Sequence, residues 1–333
     1  MTRRYLPLLA TLAVLILGYA VCAARFDNFL SWRVLGNLLT DNAFLAITAV
    51  GMTFAIVSGG IDLSVGSVIA FTTILIAVLV EWLGMHPLAA FLLALLAGAL
   101  LGAGMGAVIH YLQLPPFIVT LAGMFLIRGI SFQISTESIG IGHAFYSVLN
   151  DVAIPLGRGK LSLIAMLMLA VVLCGGVLLH RTRFGAEVYA IGGSLSSARL
   201  MGVPVPGATI RIYMLSSTLA AFAGIVFSLY TSAGNSLNCV GVELDAIAAV
   251  VIGGTLLTGG YGFMLGTFAG VLIQGLIQTF ITFDGTLSSW WTKIIIGILL
   301  FAFILLQRLI SRFGQKEEWG KRGGPQKTGE KHS

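Results

Sequence analysis

The sequence predicts an all-α, polytopic transmembrane helical bundle of about ten spans, and three observations predict it. The apolar set makes up 57% of the 333 residues and only 10% are charged, whereas soluble domains carry about 25% charged residues. Apolar runs long enough to cross a hydrocarbon core of about 30 Å, which takes about 20 helical residues, recur along almost the whole chain. None of them shows the alternation over about ten residues that marks barrel strands, so the spanning elements are helices.

The first run, residues 5–24 behind Arg3 and Arg4, exceeds the apolar core of about 7–15 residues found in a secretory signal and reads as a retained span. Runs 43–60 and 62–84 meet at GGIDLSVGS (59–67), where glycines, serines and Asp62 interrupt apolar sequence. Run 88–112 carries Gly98, Gly102 and Gly106 four apart, and 263–282 carries the similarly spaced Gly266 and Gly270 after Gly262. Small residues at that spacing let apolar helices approach closely. Runs 117–135, 161–180, 206–231, 243–260 and 288–310 complete the set. A transmembrane domain is therefore expected over 1–310, with a polar, Lys- and Gly-rich tail over 311–333 expected to be disordered and cytoplasmic.

Charge placement gives the orientation. With the N-terminus inside, Arg3, Arg4, Arg181, Arg183, Arg199, Arg211 and the seven basic residues of 308–331 fall in the cytoplasm. Arg25, Arg33, Arg158, Lys160 and Lys293 fall outside. The bias favours both termini inside. Because the net charge of +6 is gathered mainly in the tail, it argues for orientation and not for a nucleic-acid partner. The surrounding solvent is the lipid bilayer.

Several chemistries are not supported. Cys22, Cys174 and Cys239 are isolated, so neither a disulfide framework nor a metal site is expected. Gly157-Arg-Gly-Lys160 lacks the spacing of a phosphate-cradling loop, so no nucleotide cofactor is expected. Paired carboxylates, HExxH and Ser/His arrangements at catalytic spacing do not occur, which argues against an enzyme and leaves no catalytic residue to name. At an offset of 200 residues AITAV (46–50) echoes AIAAV (246–250), and Gly59-Gly60 echoes Gly259-Gly260; chance and a true repeat both remain open.

A carboxylate in lipid is costly and normally faces a water path, a partner or the bundle interior. Asp62 with Ser64 can cap the helix that starts after the break. A glycine-broken helix can equally expose acceptors to a passing solute, as a gate near the cytoplasmic side. Arg128, near mid-depth in its span, needs a partner: Asp62 and backbone carbonyls are both candidates. It either pins a helix or donates to substrate oxygens.

The internal polar segment 180–207 contains a short helix, 194–201, started by Gly193-Ser194 and stopped by Gly202 and Pro204. It is too short for a domain and suits docking to a partner.

Four stretches in one order, GGIDLSVGS (59–67), LPPFIVTLAGMFLIRGI (114–130), RTRFGAEVYAIGGSLSSARLMGV (181–203) and VELDAIAAVVIGGTLLTGGYGFMLGT (242–267), resemble the permease subunits of bacterial ABC importers for monosaccharides. Within that family TDNAF (40–44), TIRIYMLS (209–216) and FDGTLSSWWTKI (283–294) are similar to permeases of galactofuranose importers. The resemblance implies a non-catalytic subunit of the bacterial inner membrane, working with a separate ATP-binding subunit, a second related permease in a heterodimer, and a periplasmic sugar-binding protein. It implies that 181–207 is the coupling segment, with Arg183, Ala198, Leu200, Met201 and Gly202 at the ATPase. The family's usual Glu-Ala-Ala is here Ser196-Ser197-Ala198. Asp62, Ser64 and Arg128 are then candidates for the sugar path or its gate, and Glu243 and Asp245 for binding-protein docking or an outer hinge. The rival is a proton-coupled secondary sugar transporter in which Asp62 and Arg128 relay protons.

Overall fold

Seven helices among the described residues are long and apolar enough to cross a membrane. The computed structural model describes residues 5–288 and 290–321, with side chains described through residue 305. The crossing helices are α1 (Leu6–Arg25), α4 (Val65–Ala77, extended by a π turn over Val78–Trp82), α5 (Pro87–Tyr111), α6 (Pro116–Ile134), α8 (Leu163–Arg181), α11 (Val205–Thr231) and α13 (Met264–Asp284). An eighth crossing is made if α2 (Trp32–Asp41) and α3 (Ala43–Val57), bent by 53°, count as one.

The two remaining expected spans are shorter in the structure. The run 243–260 yields only α12 (Val242–Ile252), 11 residues, or about 16 Å at 1.5 Å per residue, about half of the apolar thickness. The run 288–310 lies in α14 (Trp290–Lys321), whose apolar part is Trp290–Leu305. That helix continues past the expected boundary at 310; the rest of the expected tail, 322–333, lies outside the described residues.

The connections hold more structure than hydropathy suggests. At one end of the bundle lie α7 (Ala144–Asp151), the short pair β1 (Ile139–Gly140) with β4 (Ala233–Gly234), and the hairpin β2 (Ala153–Leu156) with β3 (Gly159–Ser162). We call this the hairpin end. At the other lie α9 (Arg183–Gly193) and α10 (Leu195–Leu200). Local sequence sets these starts: Ser31, Ser162, Thr182 and Ser194 each accept a first-turn amide of α2, α8, α9 and α10, removing one orphan donor per helix.

The core is built around α3, α4 and α11, the last packed against α5. Helix α3 is apolar on all faces and buried on nearly all of them, as expected of a helix at the centre of a bundle. The spaced glycines of α5 explain its approach to α11: a methyl added at Gly102 would sit 2.3 Å from the Tyr213 carbonyl oxygen. On α13, Gly266 and Gly270 likewise press on the backbone of Gly253 and Ala249. Gly262 falls outside that stripe, in the loop before α13, against Thr255.

Candidate functional site

Two units of the same form lie side by side in the core. In each, a short buried helix (α3, α12) stops at a glycine-containing break near the α10 end, and a longer helix (α4, α13) returns. The breaks touch: Gly260 donates its amide to the Val57 carbonyl at 2.8 Å, and a methyl at Gly259 would lie 2.8 Å from the Gly59 backbone. Gly59, Gly259 and Gly260 have φ of +87°, +83° and +74°, a region L side chains rarely enter. The 200-residue echo therefore corresponds to two equivalent, adjoining pieces of structure.

A third glycine pair closes this junction. Gly192, at the C-terminal end of α9, sits so tightly that an added methyl would lie 1.8 Å from the Val57 carbonyl oxygen and 2.5 Å from the Gly260 amide. Tyr189 of α9 donates to the Gly262 carbonyl at 2.5 Å, and His180 accepts the Met264 amide at 3.3 Å. Helix α9 thus packs against both breaks through Gly192 and is hydrogen-bonded to the second through Tyr189, beside His180 of α8. Sequence reading found α10 and its caps but not α9; the signal was available in the repeated Gly-Gly pairs at 59, 192 and 259.

From this base α10 projects outward. Ala198 is completely buried with Ile191, Val205 and Ala208, so it anchors the helix to the bundle and cannot itself face a docked protein. Leu200 is 90% exposed and Met201 70%, followed by Gly202 at φ +78°. Leu195 joins them as an exposed apolar side chain that sequence reading passed over. Arg183 is exposed at the first turn of α9.

Asp62 is wholly buried in the first break. Its Oδ1 accepts the Ser64 amide at 3.0 Å and the Ser64 hydroxyl at 2.6 Å, and its Oδ2 accepts the Ser216 hydroxyl of α11 at 2.7 Å. The Ser64 side chain, expected to take a helix amide, bonds Asp62 instead; helix α4 begins with the Ser64 carbonyl accepting from Val68. The break is fixed further by Thr120 of α6, which donates to the Ile61 carbonyl at 3.1 Å.

Arg128 does not pair with Asp62. Its guanidinium donates to the carbonyls of Ser236 and Asn238, at 2.7 and 2.9 Å, in the loop that joins β4 to α12. Ser236 in turn donates to the Ser131 and Ser135 carbonyls of α6. The arginine therefore ties that loop to α6, and the two groups needed for a proton relay are not in contact. Glu243 is buried, with Oε2 unpartnered and against Gly66, so in this conformation it does not reach a docking protein. Asp245 forms an ion pair with Lys293 at 2.6 Å. Among the described residues no group of His, Cys, Asp and Glu is placed to hold a metal.

Residues 34–304 match the family described as "Branched-chain amino acid transport system / permease component". The chain belongs to this permease family. The permease is 62% identical over 310 residues to "Inner membrane ABC transporter permease protein YjfF" of Escherichia coli K12, covering 92% of this chain and 93% of that one. It is 39% identical over 322 residues to "Fructose import permease protein FruG" of Bifidobacterium longum, covering 94% and 93%. It is 34% identical over 310 residues to "Ribose import permease protein RbsC" of Escherichia coli K12, covering 92% and 95%. No solved structure matches it. As a permease component it is the non-catalytic part of its transporter.

Proposed function

We propose that this chain forms one transmembrane half of an ATP-driven monosaccharide importer in a bacterial inner membrane. The observation that carries the reading is the joint at α9–α10: an exposed apolar tip at Leu200 and Met201 continuous with a helix wedged between both broken units through Gly192. A partner seated on the tip has a short, close-packed route to the elements most suited to gating. That partner is a separate ATP-binding subunit. Its closure on ATP drives the permease between two states, and a liganded periplasmic binding protein that prefers one of them sets the direction.

The relatives named as fructose and ribose import permeases support a sugar as cargo. Within that class we infer galactofuranose, supported by the similarity of 40–44, 209–216 and 283–294 to permeases of that sugar. A second, related permease completes the pathway as a heterodimer. The basic residues Arg181, Arg183, Arg199 and Arg211 near the α10 end support a reading in which that end, and both termini, lie in the cytoplasm. The hairpin end then faces the periplasm, and Asp245, whose carbonyl is bonded to Gln274 at the middle of α13, lies below that end and not at an outer mouth.

Energy coupling is the decisive test. Membrane vesicles holding this chain with its partners should take up labelled sugar only when ATP and the ATP-binding subunit are present inside. Uptake that persists without that subunit and collapses with a protonophore would establish the secondary-transporter alternative.

The docking tip is tested separately. Leu200 contacts little of its own chain, so Leu200→Asp leaves folding intact while placing a charge where an apolar contact is needed. A central apolar contact is worth about 2 kcal/mol or more, so the ATP-binding subunit should be held at least about tenfold more weakly and uptake should fall with it. Gly202→Glu acts in the same direction, but its positive φ adds backbone strain. Normal co-purification and uptake for Leu200→Asp would remove α10 as the docking element.

A further inference from the structure

A cavity of about 850 Å³ lies at the hairpin end, between α2, the start of α3, the end of α11, the starts of α12 and α14, and the outer half of α13. Its size falls within the range of about 300–1,000 Å³ typical of small-molecule sites. Nothing in the coupling scheme above uses it. Two amide side chains are the polar groups of its buried lining, Asn42, 7% exposed, and Gln274, 4% exposed, set among the buried Leu38, Leu45, Val242, Ile281 and Ile296. Each spends its NH2 group on a backbone carbonyl, Asn42 on Leu38 at 2.9 Å and Gln274 on Asp245 at 3.0 Å. The end of an amide that lies against a carbonyl must be the nitrogen, so in both residues the oxygen is the group left without a protein donor.

The walls add groups of matching character. The Tyr230 hydroxyl donates to Asp41 at 3.1 Å, which leaves the other carboxylate oxygen as an acceptor. Gln278 presents an exposed amide whose side chain makes no hydrogen bond among the described residues, and Lys293 is already neutralised by Asp245. Depth is also informative. Gln274 is the midpoint of α13 (Met264–Asp284), so the cavity descends about 15 Å from the hairpin end at 1.5 Å per residue. Below it the Thr53–Thr267 hydroxyl bond at 2.8 Å and then the glycine junction close the way to the α10 end.

We propose that this cavity is a binding station for a neutral polyhydroxyl ligand of monosaccharide size, in which the Asn42 and Gln274 oxygens accept hydroxyl protons and Gln278 both donates and accepts. The assignment rests on the sugar-importer reading and gives that reading its outer half-pathway. A sugar offers many hydroxyls and no charge; leaving buried acceptors unfilled is what lets such a site discriminate, because a ligand that cannot fill them forfeits the bonds. Arg33 and Asp27 also line the cavity as exposed groups, and the two buried amides set among aliphatic side chains suit a ligand whose hydroxyls meet the amides while its carbon framework meets the apolar wall.

The test uses the complete transporter in vesicles and labelled D-galactose, D-fructose and D-ribose, comparing initial uptake at several concentrations. Gln278→Ala, which breaks no bond of the fold, should raise the half-saturating concentration or lower the rate by about three- to tenfold, as expected for one lost bond. It should also change the ratio of uptake between two of the sugars, which a purely structural defect would not do. Gln274→Leu should do more, and Gln274→Glu, which keeps an acceptor oxygen in place, should recover part of the loss. Uptake unchanged in kinetics and sugar preference for both Gln278→Ala and Gln274→Leu overturns the station while leaving the importer reading standing. Loss of the second permease on purification of either variant overturns it in favour of a subunit interface. If neither galactofuranose nor any of these three sugars enters with the unaltered chain, the sugar reading fails and the station with it.

Discussion

Gly192→Ala is expected to abolish uptake, to below about a tenth of the unaltered level, while the ATP-binding subunit still co-purifies. The methyl group would lie 1.8 Å from the Val57 carbonyl oxygen and 2.5 Å from the Gly260 amide. Both are backbone atoms of rigid breaks, so no side chain can swing aside to admit it. Overpacking costs typically about 1–3 kcal/mol when neighbours can adjust. Here the adjustment must separate α9 from the junction or pull apart the 2.8 Å bond between Gly260 and Val57. Either change cuts the route from α10 to the broken helices while leaving the exposed tip at Leu200 and Met201 unaltered. The neighbouring position supplies the control: a methyl at Gly193 would meet nothing within 4 Å, so Gly193→Ala should transport normally. Equal transport by the two variants would show that α9 and the breaks are not mechanically joined.

The difference between these adjacent glycines also shows where sequence reading reached its limit. Hydropathy, small-residue spacing and capping residues are local signals, and they correctly placed seven membrane helices, the break at 59–67 and the caps around α10. Which glycine of a pair is compressed depends on what another part of the chain brings to it. That information is tertiary. The same reason explains Arg128: its depth announced the need for a partner, but the carbonyls of Ser236 and Asn238 are more than a hundred positions away. Hydropathy also overcounted spans at 243–260, because a half-length helix buried in the bundle is as apolar as one that crosses. The outer cavity was invisible for a related reason, since Asn42 and Gln274 come from distant elements and neither stands in a recognisable motif.

Asp62 is the position where the type of substitution matters most. Three donors converge on its carboxylate: the Ser64 amide, the Ser64 hydroxyl and the Ser216 hydroxyl. Asparagine keeps one carbonyl oxygen for the two Ser64 donors, and the Ser216 hydroxyl can rotate to accept from the new NH2 group, so each bond has a successor. Leucine leaves all three donors buried without an acceptor. Each unsatisfied buried group costs about 1–3 kcal/mol, so Asp62→Leu should lose several kcal/mol, comparable to the whole margin of many folded proteins. The expected outcome is a large drop in properly inserted protein for Asp62→Leu, read from detergent-extracted monodisperse material and its thermal midpoint. Asp62→Asn should be recovered in near-normal amount and retain most of its uptake. Complete loss of transport by well-folded Asp62→Asn would instead assign the work to the negative charge, since charge is the property that the asparagine does not preserve.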